Sequence, residues 1–255
     1  MLLVAIDFAD DQPPTTNDCF FMTWIKICGI TNLPDALAAV DAGADALGFV
    51  FHETSPRAVA PQIAREIVAV LPEKLEKVGV FAEMPLNVGA LVGEVGLTAV
   101  QCRLGSKGST QNGKTGLGRP VRTLVTLSVT RLLQNEKKLQ GLIAEFLRLA
   151  ESPKRPSGFD TFLLDSTAPE QPGGTGQVFN WKKVAPLVQV MNRSVKVVVA
   201  GGLTPSNVAE AMRTLRPWGV DVSSGVESEP GKKDRAKVRA FVNAVRGADK
   251  ANVKN

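Results

Sequence analysis

The 255-residue sequence has no tyrosine, one histidine and three cysteines, and each shortage closes off a class of chemistry. With His52 as the single histidine, a His-rich metal site is excluded, and any histidine triad would have to use that one ring. The cysteines, Cys19, Cys28 and Cys102, lack metal-ligand spacing and are too few for a disulfide framework. No metal is expected, and a reducing compartment is. No apolar run approaches the ~18 residues of a membrane span. The N-terminus, MLLVAIDFADDQPP, has no basic region and breaks at Asp7, which makes it a poor signal peptide. A cytoplasmic location with no membrane partner is the expectation.

What is present is ordinary for a globular protein: 44% hydrophobic and 22% charged residues, with a net charge of +5. The charge is uneven, since residues 103–155 hold eleven Lys/Arg against three Glu. A basic face can attract nucleic acid, but stacking on single strands needs aromatics, and these are scarce. A solvated basic face is the reading, with no nucleic-acid partner expected.

From about residue 24 the chain settles into a repeating pattern. WIKICGI (24–30), ALGFVF (46–51), KVGVFA (77–82), TAVQCR (98–103), RTLVTLSV (122–129), DTFLLD (160–165), VKVVVAGG (195–202) and GVDVSSGV (219–226) read as strands. Between most of them, segments such as PQIAREIVAVLP and PSNVAEAMRTLR space apolar residues at helical period. Strands alternating with helices imply parallel βαβ units, and eight strands in ~230 residues fit a closed (β/α)8 barrel. An open six-stranded doubly wound sheet is the alternative. The expected layout is a short N-terminal extension (1–21), one barrel domain (22–247) and a polar tail (248–255). Met22 stands just before the first strand, so a misplaced start also fits.

Residues 104–121 break the rhythm where a fourth helix is due. They hold five glycines and a proline with no apolar period, so a glycine-rich loop is expected in its place. Within it, GSTQNGKT (108–115) matches the G-x-x-x-x-G-K-[ST] phosphate loop. Such a loop works only when a helix begins at the Lys-Thr pair, and here Gly116-Leu117-Gly118-Arg119-Pro120 follows. A chance match is the better account. A nucleotide-binding protein using Gly113-Lys114-Thr115 remains the competing reading, as does a phosphate-binding barrel with lost or altered activity.

Strand alternation places Lys26 and Cys28 on one face, with Cys28 at the end that opens on the functional side of a barrel. A lysine two residues away is expected to stabilise the thiolate and lower its pKa. Leu163 and Asp165 share a face in the sixth strand, which puts Asp165 at the same mouth as a candidate acid/base partner. Ala200-Gly201-Gly202 and Ser223-Ser224-Gly225 end the last two strands, where glycine backbones and hydroxyls make the phosphate cup of this fold. Arg57 could fork onto a carboxylate, but taken alone a surface arginine is the better reading. His52 reads as a loop residue.

Taken together, KICGIT (26–31), GADALGFVF with SPR (43–57), VGVF (78–81), AVQ (99–101), LLDS with GGTG (163–176), AGGLTPSNV (200–208) and VDVSSGVESEPGKKD (220–234) resemble the phosphoribosylanthranilate isomerase family of tryptophan biosynthesis. The resemblance spans about residues 24–246. It implies conversion of N-(5-phosphoribosyl)anthranilate to 1-(2-carboxyphenylamino)-1-deoxyribulose 5-phosphate by an Amadori rearrangement, without a cofactor. It implies Cys28 as general base, Asp165 as general acid and Arg57 on the anthranilate carboxylate. It also implies phosphate binding by Gly201, Gly202, Ser223, Ser224 and Gly225. Lys26, Gln101, Arg103 and Asp221 complete the expected substrate-binding set, in a monomer or homodimer. The histidine-pathway ProFAR isomerase family is the nearest rival, but it carries aspartate where Cys28 stands. One departure is clear: the family usually shows VQLHG at strand four, whereas here Val100-Gln101-Cys102-Arg103-Leu104-Gly105 has lost the histidine. Arg103, on the face of Gln101, is placed to take over a polar role.

Overall fold

The computed structural model describes residues 22–103, 121–151, 161–166 and 178–252. The expected extension (1–21), all but the last residue of the glycine-rich segment (104–121), the GKT pattern at 113–115 and the GGTG match at 173–176 lie outside them.

Eight parallel strands close into a barrel in chain order: β1 (Trp24–Cys28), β2 (Ala46–Val50), β3 (Glu76–Val80), β4 (Ala99–Arg103), β5 (Arg122–Ser128), β6 (Thr161–Asp165), β7 (Lys196–Val199) and β8 (Gly219–Val222). Closure is made by β8 returning to β1, with Lys26 in register with Asp221. That closure settles the architecture as a (β/α)8 barrel and excludes the open sheet. The helices are α1 (Leu33–Ala42), α2 (Pro61–Val68), α3 (Val88–Val95), α4 (Val129–Leu133), α5 (Glu136–Glu151), α6 (Trp181–Met191), α7 (Val208–Leu215) and α8 (Arg235–Asn252). Local signals set their ends. Asn32 caps α1 by accepting the Asp35 N–H, and Gly43 ends that helix in the left-handed conformation.

The two-residue period of each strand divides the apolar residues between two cores. Outward residues such as Ile25, Ile27, Leu47 and Phe49 pack under the helices. Inward residues, among them Trp24, Ala46, Val78, Ala99, Leu124 and Leu163, fill the barrel. Each inward column changes character as it climbs. Trp24 gives way to Lys26 and Cys28, Ala99 to Gln101 and Arg103, Leu124 to Thr126 and Ser128, and Leu163 to Asp165. An apolar floor therefore supports a polar mouth.

The floor has its own closure. The Arg122 guanidinium stacks on Trp218 at 4.7 Å and on Trp24 at 5.3 Å, and bonds Glu76 at 2.9 and 3.1 Å.

Several boundaries differ from the sequence reading. The last helix runs to Asn252 rather than ending at 247, because Ala248 is buried and Asp249 accepts the Thr23 hydroxyl at 2.6 Å. The eighth strand stops at Val222, and Ser224–Val226 forms a 3₁₀ turn. Beyond it, β9 (Glu227–Glu229) and β10 (Lys232–Lys233) form a hairpin that strand periodicity is too short to show. No helix of the described residues is long and apolar enough to cross a membrane.

Candidate active site

The polar ends of the inward columns surround a cavity of about 310 Å³, lined by Cys28, Arg57, Gln101, Arg103, Asp165 and Asp221 among others. Apolar walls from Val50, Val80, Phe81, Leu127, Leu132 and Leu142 give it a surface suited to an aromatic ring. A smaller cavity of about 50 Å³ adjoins it, and Asp165, Asp221 and Ser223 line both. Gly201, Gly202, Ser224 and Gly225 form the rest of that cup.

Backbone geometry explains the glycines of the cup. Gly201 and Gly202 line the cup with positive φ values of 79° and 66°, a conformation that glycine adopts readily. At Gly225 a Cβ would run into the Leu203 carbonyl oxygen. Among the described residues the buried Ser223 hydroxyl has no hydrogen-bond partner, which marks it as a donor available at the cup.

Lys26 is fully buried beneath the mouth. Its Nζ donates to Gln101 Oε1 at 2.8 Å and lies 3.0 Å from Asp221 Oδ1. Burial works against its charge, but the attraction of Asp221 and Cys28 outweighs that and raises its pKa. Asp221 is raised too, chiefly by burial, with Asp165 adding repulsion against the pull of Lys26. Cys28 corrects the sequence reading. Lys26 does pull its pKa down, but burial is the larger effect, and the thiol ends above its ordinary range.

Arg57 is not a surface residue. It is buried at the cavity wall, and Glu227 accepts its Nε at 2.9 Å and its Nη2 at 2.7 Å. Lys233 Nζ approaches the same carboxylate at 2.6 Å. Burial pushes the Glu227 carboxyl up, yet the bonds from Arg57 and the charge of Lys233 hold it below the usual range. Glu227 and Lys233 lie inside the VDVSSGVESEPGKKD stretch, but sequence reasoning gave them no role. The only signal was a charged residue on each side of a Pro-Gly turn. His52, read as a loop residue, lies after β2 on the cavity wall and hydrogen-bonds Thr54 at 3.0 Å. Among the described residues no group of three or more His, Cys, Asp or Glu is placed to hold a metal ion.

Every site residue expected from the sequence thus meets at one end of the barrel, with Lys26 just below. Comparison with known proteins identifies the family. Residues 25–244 match the family described as N-(5'phosphoribosyl)anthranilate (PRA) isomerase. The N-(5'-phosphoribosyl)anthranilate isomerase of Pelobacter propionicus is 42% identical over 225 residues, which is 87% of this chain and 94% of that protein. The crystal structure of phosphoribosyl anthranilate isomerase from Thermotoga maritima is 34% identical, with a TM-score of 0.71 over 89% of this chain and all of that one. A phosphoribosyl anthranilate isomerase in complex with reduced 1-(o-carboxyphenylamino)-1-deoxyribulose 5-phosphate is 32% identical, with a TM-score of 0.68 and the same coverage. The bounds of the match enclose the GKT segment, and the comparisons do not favour the nucleotide-binding reading. The chain belongs to the N-(5'-phosphoribosyl)anthranilate isomerase family.

Proposed function

We propose that the cavity performs the isomerisation of N-(5-phosphoribosyl)anthranilate with Cys28 as general base and Asp165 as general acid. The observation that carries this reading is that the two side chains line one cavity between an arginine and a glycine cup. The cup receives the phosphate on the Gly201, Gly202, Ser224 and Gly225 backbones and the Ser223 hydroxyl. Arg57 takes the anthranilate carboxylate, and the apolar wall takes the ring. Gln101, Arg103 and Asp221 hold the ribose, and Lys26, which does not reach the cavity, acts on it only by holding Gln101 and Asp221 from below. A volume of about 310 Å³ suits a substrate of this size, since such sites run from ~300 to 1,000 Å³.

The chemistry needs one acid and one base. Asp165 gives a proton to the ribose ring oxygen as its bond to C1′ breaks, and the nitrogen lone pair forms the Schiff base. Cys28 then removes the C2′ proton, and those electrons form the C1′–C2′ double bond of the enolamine, which tautomerises to the ketone. We infer a cytoplasmic enzyme of tryptophan biosynthesis acting on a small molecule.

Steady-state kinetics of Cys28→Ser and Asp165→Asn test the roles. Each should lower kcat by about a hundredfold or more with little change in folding, as loss of a general acid or base typically does. Near-normal turnover in either would overturn the assignment.

A further inference from the structure

Glu227 and Lys233 take part in no step of the rearrangement, yet both are charged, buried and adjacent to it. The β9–β10 hairpin presents both to Arg57, and its own anchorage is firm. Asp35 in α1 accepts the Lys233 N–H at 2.7 Å, Thr31 donates to the Gly231 carbonyl at 2.6 Å, and Lys237 in α8 donates to the Glu227 carbonyl at 2.8 Å. Three buried charges are a costly way to stabilise a loop, since apolar side chains of similar volume often serve as well. The arrangement therefore calls for a reason other than stability.

Charge balance supplies one. A bidentate Arg–Glu pair is neutral as a unit and attracts an anion only weakly. Here Lys233 shares Glu227 Oε1 with Arg57 Nε, at 2.6 and 2.9 Å, so two cations meet one carboxylate. Of the three, only Arg57 lines the cavity. Taken by themselves the three groups carry a net positive charge, and Arg57 is the member that presents it to the cavity.

We propose that Glu227 and Lys233 are positioning residues that make the cavity selective for a carboxylate-bearing ligand. Glu227 fixes the plane of the Arg57 guanidinium, and Lys233 cancels the negative charge that Glu227 brings. The inference rests on Arg57 as the carboxylate's partner.

The test uses two stable probes measured by calorimetry: reduced 1-(o-carboxyphenylamino)-1-deoxyribulose 5-phosphate and its counterpart without the ring carboxylate. Arg57→Ala, Glu227→Gln and Lys233→Met should each weaken the carboxylate probe by about tenfold or more, and the other probe by less than about threefold. Glu227→Asp, which keeps the charge, should recover part of the loss. Lys233→Met keeps the buried volume and carries the test by itself if Glu227→Gln does not fold. Equal weakening of both probes by Glu227→Gln and Lys233→Met, or of neither, overturns the positioning role while a selective Arg57→Ala leaves the Arg57 reading standing. If Arg57→Ala weakens both probes equally, the carboxylate is held elsewhere and the inference falls with it.

Discussion

Burial raises the Cys28 pKa although Lys26 and Lys233 both pull it down, and this acts on catalysis in two opposed ways. Fewer thiols are ionised at neutral pH, but each thiolate that forms is a stronger base toward a carbon-bound proton. The pH profile shows which state does the work. If the thiolate is the base, kcat/KM should climb with pH as the thiol gives up its proton, with a midpoint above the ordinary thiol value of about 8.5. The rising limb should vanish in Cys28→Ser, whose hydroxyl does not ionise in this range. A wild-type profile already flat at neutral pH would show that another group removes the proton. Residue-scale reasoning from sequence placed Cys28 correctly but took the wrong sign for its shift. The lysine two residues away is visible in a sequence, whereas burial at the base of a cavity is a property of the closed barrel.

Elements were legible where periodicity had room to show itself. Eight strands rich in Val, Ile and Leu and the longer amphipathic helices fix both their own identity and the barrel. The three- and two-residue strands of the hairpin and the five-residue α4 are too short to repeat the period that would reveal them. With them went the roles of Glu227 and Lys233. The loop between β7 and α7 shows how a signature legible as sequence acquires a mechanical sense. Asn207 begins α7 without capping it, and turns back instead to accept the Thr204 N–H at 2.8 Å and donate to the Gly202 carbonyl at 2.9 Å. Those two bonds brace the glycine pair of the cup. Asn207→Ala should therefore loosen the cup and raise KM by roughly five- to tenfold, about the value of one or two lost hydrogen bonds, with a smaller effect on kcat. Competition by inorganic phosphate, which needs only the cup, should weaken in parallel. Unchanged phosphate inhibition in the variant would mean that the anion sits elsewhere.

Across the whole molecule the two ends of the barrel divide the work, with polar side chains in reach of substrate at one and a sealed floor at the other. Arg122 is the clearest part of that floor. It starts β5, bonds Glu76 at the start of β3 and Thr161 at the start of β6, and lies against Trp24 and Trp218. One side chain thereby ties together the lower ends of several strands. The stem of a methionine would still cover the rings, so Arg122→Met chiefly removes the charge. Lost with it are the cation–π contacts, at roughly 0.5–2 kcal/mol each, and an ion pair that is partly open to solvent and hence modest. Glu76 is only partly buried and can turn toward water, which limits the cost of leaving it unpaired. A loss of about 1–3 kcal/mol in urea unfolding follows, with kcat and KM unchanged well below the melting temperature. If kcat fell together with stability under those conditions, floor and mouth would be mechanically coupled. The strands would then be transmitting strain along their length rather than isolating the chemistry from the closure of the barrel.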